Sequence, residues 1–330
     1  MVLKPKARIA GLGTYLPEKV LSNQDLEKLV DTSDEWIVSR TGMKERRIAA
    51  TDECTSDMGA ASAKRALAAA NVKAEDIDLI LTATMTPDYI SPSTAGLIQH
   101  HIGATNAAAV DIQAACTGFL YALSIAKAYI DAGMYRHILV VASEKMSAFI
   151  DYTDRNTCIL FGDGACSAVV TGEGGGWLID TISLGAEGEL ADLVIIPGGG
   201  ARQPASAATI EGKQHYIQLQ GKEVFKHAVR RMTSAATECL AKVGLQQEDI
   251  SWLVPHQANE RIIDAIGKSF EIPMEKVFKT VHKYGNTSAS SIAIALDELL
   301  TTKKPLSGEH ILLVAFGGGL TWGAAVITKI

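Results

Sequence analysis

The sequence predicts an α/β fold made of two similar halves in which sheets alternate with helices. Three observations carry this expectation. Short continuous apolar runs of strand length alternate with helical stretches, the pattern of parallel βαβ units. Two pairs of such runs recur at one spacing: "EDIDLILTATMTP" from Glu75 and "EDISWLVPHQAN" from Glu248 stand 173 residues apart, as do "HILVVAS" from His137 and "HILLVAF" from His310. The stretch "CTGFLYALSIAKAYI" is apolar on nearly every face until Asp131 and Gly133, which places it in the interior.

Along the chain, "MVLKPKARIAGLGTYLP" has basic residues, a short strand-like run and a turn, and lacks the apolar region of a secretory leader. A cytoplasmic location is therefore expected. "GLGTYLP" begins like a dinucleotide-binding glycine pattern but has Leu16 at the third glycine position, so no such site is expected. The first half then offers its apolar strands and the helix after Cys116. The Gly-rich "TGEGGG" at 171–176 follows "ACSAVVT" and divides the chain into 1–172 and 173–330. In the second half "NTSASSIAIALDELL" is the matching helix. The repeat spacing carries Cys116 to position 289, three residues past Asn286, so helices beginning at Cys116 and near Asn286 are expected equivalents.

Composition narrows the function. The 330 residues are 47% hydrophobic and 21% charged, and a net charge of −6 argues against a general nucleic-acid binder. No apolar run reaches the roughly 18–20 residues of a membrane span. Five cysteines (Cys54, Cys116, Cys158, Cys166, Cys239) contain no C-x-x-C pair, which fits neither a disulfide framework nor a zinc site. Cys158 and Cys166 read as small core residues.

Three residues could do chemistry. Cys116 stands where a helix N-terminus would favour a thiolate, though a buried inert thiol has the same sequence signature. His256 follows the apolar strand 252–254, with Pro255 ending the ladder, and strand C-terminal ends are where α/β folds place their sites. Asn286 in "KYGNTSASS" reads equally as a helix N-cap.

Six ordered stretches, "DEWIVSRTGMKERRI", "AACTGFLYAL", "FGDGA", "WLVPHQAN", "GNTSASS" and "FGGGLTWGAA", resemble the β-ketoacyl-acyl carrier protein synthase III family of thiolase-like condensing enzymes over nearly the whole chain. The resemblance implies a layered α-β-α-β-α sandwich. It implies Cys116 as nucleophile, His256 and Asn286 as the pair serving decarboxylation, and backbone donors from Cys116 and Gly318 for the oxyanion. It further implies Trp36, Arg40, Arg155 and Asn259 on coenzyme A, and Phe225 in the tunnel. Ser91 stands at the acyl pocket, where a small residue leaves room for a longer or branched chain. Lys222, Lys226 and Arg261, with Arg230 on the same helical stripe, would meet an acidic carrier protein.

The implied partners are acyl-CoA, malonyl-acyl carrier protein and a second copy of the chain, with no nucleic acid or membrane. No metal or cofactor is implied, the coenzyme A thioester being a substrate. The activity implied is the decarboxylating condensation that initiates fatty-acid synthesis; the alternative is a related enzyme priming a polyketide or other secondary metabolite. A thiolase would need a second cysteine near the C-terminal glycines, and the last is Cys239. Elongating synthases resemble a Cys–His–His pattern, which Asn286 breaks.

Overall fold

The computed structural model describes residues 6–330; the first five, on which the leader reading partly rests, lie outside the described residues. Strands in the N-terminal half are β1 (Arg8–Tyr15), β2 (Lys19–Ser22), β3 (Glu45–Ile48), β4 (Leu79–Ala83), β5 (Ala108–Ile112), β6 (His137–Glu144) and β7 (Gly164–Thr171). The C-terminal half has β8 (Trp177–Ala186), β9 (Val194–Ile195), β10 (Gln218–Leu219), β11 (Ile250–Pro255), β12 (His310–Gly317) and β13 (Thr321–Lys329). Helices run as α1 (Asn23–Leu26), α2 (Asp34–Thr41), α3 (Thr55–Ala70), α4 (Thr94–Ile102), α5 (Gly118–Asp131) and α6 (Arg155–Cys158). They continue as α7 (Ala207–Glu211), α8 (Gly221–Val243), α9 (Glu260–Ser269), α10 (Val281–Tyr284) and α11 (Ser290–Lys303).

The layers are those expected. Strands β5, β4 and β6 are parallel, as are β11 and β12, and antiparallel strands complete each half. Helix α5 packs on β4 and β6 of its own half and on β8 and β13 of the other, while α11 packs on β7, β1 and β6 as well as β11 and β12. Phe119, Leu123, Ile292 and Leu296 of these two helices are fully buried in one apolar cluster with Leu81, Val140, Leu313 and Ile327. Helices α3 and α4 cover one outer face, and α8 and α9 the other. One feature differs from the expectation of two separate sheets. Arg8 and Ile9 pair with Leu178 and Trp177, so the ladder runs unbroken as β11-β12-β13-β8-β1-β7-β6-β4-β5.

The repeat is visible in the structure. Helices α3 and α8 both end in a left-handed cap, at Asn71 (φ 53°) and Gly244 (φ 71°), 173 residues apart. It lapses at the sheet edge, where among the described residues β5 has no counterpart beyond the single parallel bridge of Leu253 to Val277. The glycine stretch 171–176 is the turn between β7 and β8.

Candidate active site

Parallel strands aim their C-terminal ends at one cavity of about 770 Å³. Met85, Cys116 and Met146 follow β4, β5 and β6; His256 and Gly318 follow β11 and β12; Asn286 arrives just before α11. The structure thus brings the three expected residues of chemistry together.

Cys116 does not begin the helix. It lies in a 3₁₀ turn, Ala115–Thr117, and α5 starts at Gly118; likewise α11 starts at Ser290, not at Asn286. Its Sγ lies 3.6 Å from Ser288 Oγ. The thiolate expectation is corrected here. Burial pushes the thiol up to about 12 and the Glu144 charge adds to this, outweighing the lowering by the Ser288 hydroxyl. The site as it stands favours the protonated thiol over the thiolate.

The ladder does not end at Pro255, which is in register with Val314; His256 N–H then donates to Val314 O at 2.8 Å. Proline is tolerated because its missing N–H falls on the edge side of β11. His256 Nδ1 meets Ser291 Oγ at 2.5 Å, and that oxygen also accepts Gln257 N–H at 3.2 Å. Among the described residues no other acceptor takes the Ser291 hydrogen, so it goes to Nδ1 and leaves the ring proton on Nε2. Burial pushes the imidazole down to about 3, which keeps it neutral.

Asn286 is not a helix cap either. Its Oδ1 accepts Ser288 N–H at 2.8 Å, leaving the amide hydrogens for the cavity it lines. The backbone is pinned by Asn286 N–H to Leu160 O (2.9 Å) and Gly162 N–H to Asn286 O (3.1 Å). Below it lies Arg46, fully buried, with Nε on Ile159 O at 3.0 Å and a second nitrogen on Asn23 Oδ1 at 2.6 Å. Gly285 takes φ 64° there, and a Cβ would meet Leu160 O at 2.9 Å. The glycine loop is tied to the nucleophile turn by Thr321 Oγ1 donating to Ala114 O at 3.0 Å.

A soft nucleophile, two neutral donors and a glycine-lined floor can serve acyl transfer and enolate stabilisation. Comparison with known proteins agrees. Residues 110–188 match the family model "3-Oxoacyl-[acyl-carrier-protein (ACP)] synthase III", and 240–329 match its C-terminal counterpart. A curated "Beta-ketoacyl-[acyl-carrier-protein] synthase III" from Chlamydia pneumoniae is 57% identical, covering 98% of this chain and 97% of the relative. The chain belongs to the β-ketoacyl-acyl carrier protein synthase III family.

Two solved structures bear on the family assignment. The family's enzyme from Aquifex aeolicus superposes with a TM-score of 0.90 at 47% identity, covering 98% of this chain and 100% of its own. The priming β-ketosynthase of the R1128 polyketide pathway superposes with a TM-score of 0.90 at 36% identity, covering 100% and 98%. The family is one of acyl-transferring condensing enzymes, and this chain is one of them.

The other expected positions of a synthase III can now be placed. Trp36 lies under Arg155 (5.0 Å to the ring centre) and near Arg40 (5.9 Å), so the face of the indole is covered by the arginine itself. Asn259 is at the cavity mouth, but its amide is engaged: Oδ1 takes Arg261 N–H at 2.8 Å and Nδ2 donates to Arg40 O at 3.1 Å. Phe225 lines the cavity with Arg261 over its ring. Lys222, Lys226 and Arg261 surround the mouth; Lys226 pairs with Glu223 at 2.8 Å, and Arg230 faces His227 outside it. Ser91 is exposed and does not line the cavity of its own chain, since its loop turns outward beside β5.

Ser288, Ser291, Glu144 and Arg46 escaped the sequence reading. Ser288 was the findable one. It stands 173 residues after Ala115 in the repeat, and both have positive φ, 51° and 46°.

Proposed function

We propose that this enzyme transfers an acyl group from acyl-CoA to Cys116 and condenses it with malonyl-acyl carrier protein, opening fatty-acid synthesis. The supporting observation is the meeting of Cys116, His256 and Asn286 in one cavity with the imidazole held neutral. In the first half-reaction Cys116 Sγ attacks the thioester carbon, backbone N–H groups of Cys116 and Gly318 receive the oxyanion, and coenzyme A leaves. In the second, His256 Nε2–H and Asn286 Nδ2–H donate to the thioester oxygen of the malonyl group. Loss of carbon dioxide leaves an enolate whose carbon attacks the acyl-enzyme, and 3-oxoacyl-acyl carrier protein departs. Each such donor contributes on the order of 10²–10³ in rate.

Trp36, Arg40, Arg155 and Asn259 hold coenzyme A in this reading, Phe225 lines the pantetheine path, and Lys222, Lys226 and Arg261 meet the acidic carrier. The reaction uses no metal or cofactor and runs in the cytoplasm. Identity favours fatty-acid initiation over polyketide priming. The enzyme works as a homodimer: exposed Tyr89, Ile90 and Val110 surround the open edge of β5, and Thr94 and Ala95 N–H groups bind Asp111 of that strand, each at 2.7 Å. A partner strand on that edge would bring Ser91 to the neighbouring acyl pocket.

The test is intact-protein mass spectrometry after mixing with acyl-CoAs from acetyl to dodecanoyl, with Cys116→Ala as control. An acyl mass on the native chain alone supports the mechanism, and no adduct from any donor overturns it. Light scattering that returns a monomer at micromolar concentration overturns the dimer.

A further inference from the structure

The mechanism asks two donors on separate segments to meet one thioester oxygen. His256 leaves the end of β11, while Asn286 follows α10. The two segments run side by side at Leu253, whose C=O accepts Phe278 N–H at 2.9 Å. Beyond that point they are joined by the residue after His256.

Gln257 is buried and does not line the cavity. Its amide uses every hydrogen-bonding position it has. Nε2 donates to Pro255 O at 2.6 Å and to Phe278 O at 3.3 Å. Oε1 accepts Thr280 N–H at 2.8 Å and Val281 N–H at 3.1 Å, where α10 begins. Two carbonyls on one side and two N–H groups on the other admit the amide in one orientation only.

Each end of this link reaches a donor. On one side the Gln257 N–H goes to Ser291 Oγ at 3.2 Å, the oxygen that holds His256 Nδ1 at 2.5 Å. On the other, Val281 C=O accepts Gly285 N–H at 3.0 Å across the single turn of α10, and Asn286 is the next residue. The bond from Asn286 N–H to Leu160 O fixes Asn286 to the N-terminal half, whereas Gln257 fixes it to the strand that carries His256.

We propose that Gln257 is a positioning residue that sets the reach of Asn286 relative to His256. Amide and imidazole hydrogens then arrive together at the malonyl thioester oxygen. The proposal rests on the decarboxylation reading above. Gln257 touches no substrate and acts through the donors alone, and a donor misplaced by about 1 Å costs about 10²-fold in rate. Cys116 follows β5 in the other half and is not on this path, so acylation is spared.

Three variants separate positioning from a general structural role. Gln257→Met keeps the length and removes all four side-chain bonds. Gln257→Asn retracts the amide by one carbon, and carries the test should the methionine variant not fold. Gln257→Glu keeps the acceptor facing Thr280 and Val281 and, when protonated, still donates to Pro255 O. Two single-turnover rates are read: acylation by acetyl-CoA, and carbon dioxide release when the acetyl-enzyme meets malonyl-acyl carrier protein. Carbon dioxide release should fall by about 10²-fold in Gln257→Met and at least about tenfold in Gln257→Asn, with Gln257→Glu recovering most of it. Acylation should stay within about threefold throughout. In an Asn286→Ala background the loss from Gln257→Met should shrink to less than about threefold, because the donor it places is gone.

Native carbon dioxide release in the folded methionine or asparagine variant overturns the proposal. So do equal losses in both rates, no recovery in Gln257→Glu, or a full loss that persists without the Asn286 amide. A native chain that acylates but releases no carbon dioxide would instead overturn the decarboxylation reading.

Discussion

Ala115 and Ser288 occupy the same place in two copies of one turn. They stand 173 residues apart, both in the left-handed region at φ 46° and 51°, each at the entrance to a central helix. In the first copy the turn presents Cys116; in the second, Ser288 itself faces that thiol. Such a backbone costs an L-residue about 1–2 kcal/mol and persists only where packing imposes it.

Ala115→Val puts a β-branched side chain at that φ and should cost about 1–3 kcal/mol, while Ala115→Gly should cost nothing. Urea unfolding of the two variants checks this. Equal stability of Val and Gly at position 115 would mean the turn is not strained.

Gly317 packs against the nucleophile turn. A Cβ there would lie 2.8 Å from Cys116 N and 3.1 Å from Thr117 N, both main-chain atoms that cannot swing aside. Gly317→Ala should therefore displace the Cys116 N–H and slow acylation on the order of 10²–10³-fold in a folded protein. The acyl mass appearing on mixing with acetyl-CoA gives the rate.

Asn286→Asp keeps the oxygen that accepts Ser288 N–H but removes the donor facing the cavity. Carbon dioxide release from the malonyl substrate should fall by about 10²–10³. Acylation of Cys116 should stay within about threefold, so acyl-enzyme accumulates in a mass-spectrometric time course.

The pH dependence of stability has a definite sign at His256. Its folded value, about 3, lies below the unfolded value near 6.5. Its contribution is full above about pH 6.5 and is lost as pH falls toward 3, by about tenfold in the folding equilibrium per unit. His256→Gln should flatten the acid limb of a plot of unfolding free energy against pH. The native decarboxylation rate should show no titration of this group between pH 8 and 5.

Much of the molecule was legible from the sequence, for identifiable reasons. Runs such as "HILVVAS" and "HILLVAF" are buried on both faces, so hydropathy alone marks them, and their common spacing exposes the repeat. Cys116, His256 and Asn286 each had an ordinary structural reading when taken singly, and they stood out together through the family resemblance of the stretches that carry them. What could not be read is the state of the thiol. Its protonation depends on Ser288, 172 residues away, and on Glu144, which no local pattern connects to it. Arg46 was equally hidden, since burial of a guanidinium against Ile159 O emerges only when distant segments meet. Ser91 was expected at the acyl pocket of a partner copy, and its exposure outside the cavity of its own chain leaves that expectation to the dimer.

The protonated state favoured at Cys116 has a bearing on survival. Peroxides and disulfides attack thiolates, and exposed low-pKa cysteines are the first to be lost to oxidation. Here Cys158, Cys166 and Cys239 are buried, and the surroundings of the nucleophile favour its protonated form. The consequence is a nucleophile that offers oxidants little thiolate even though its cavity is open to them.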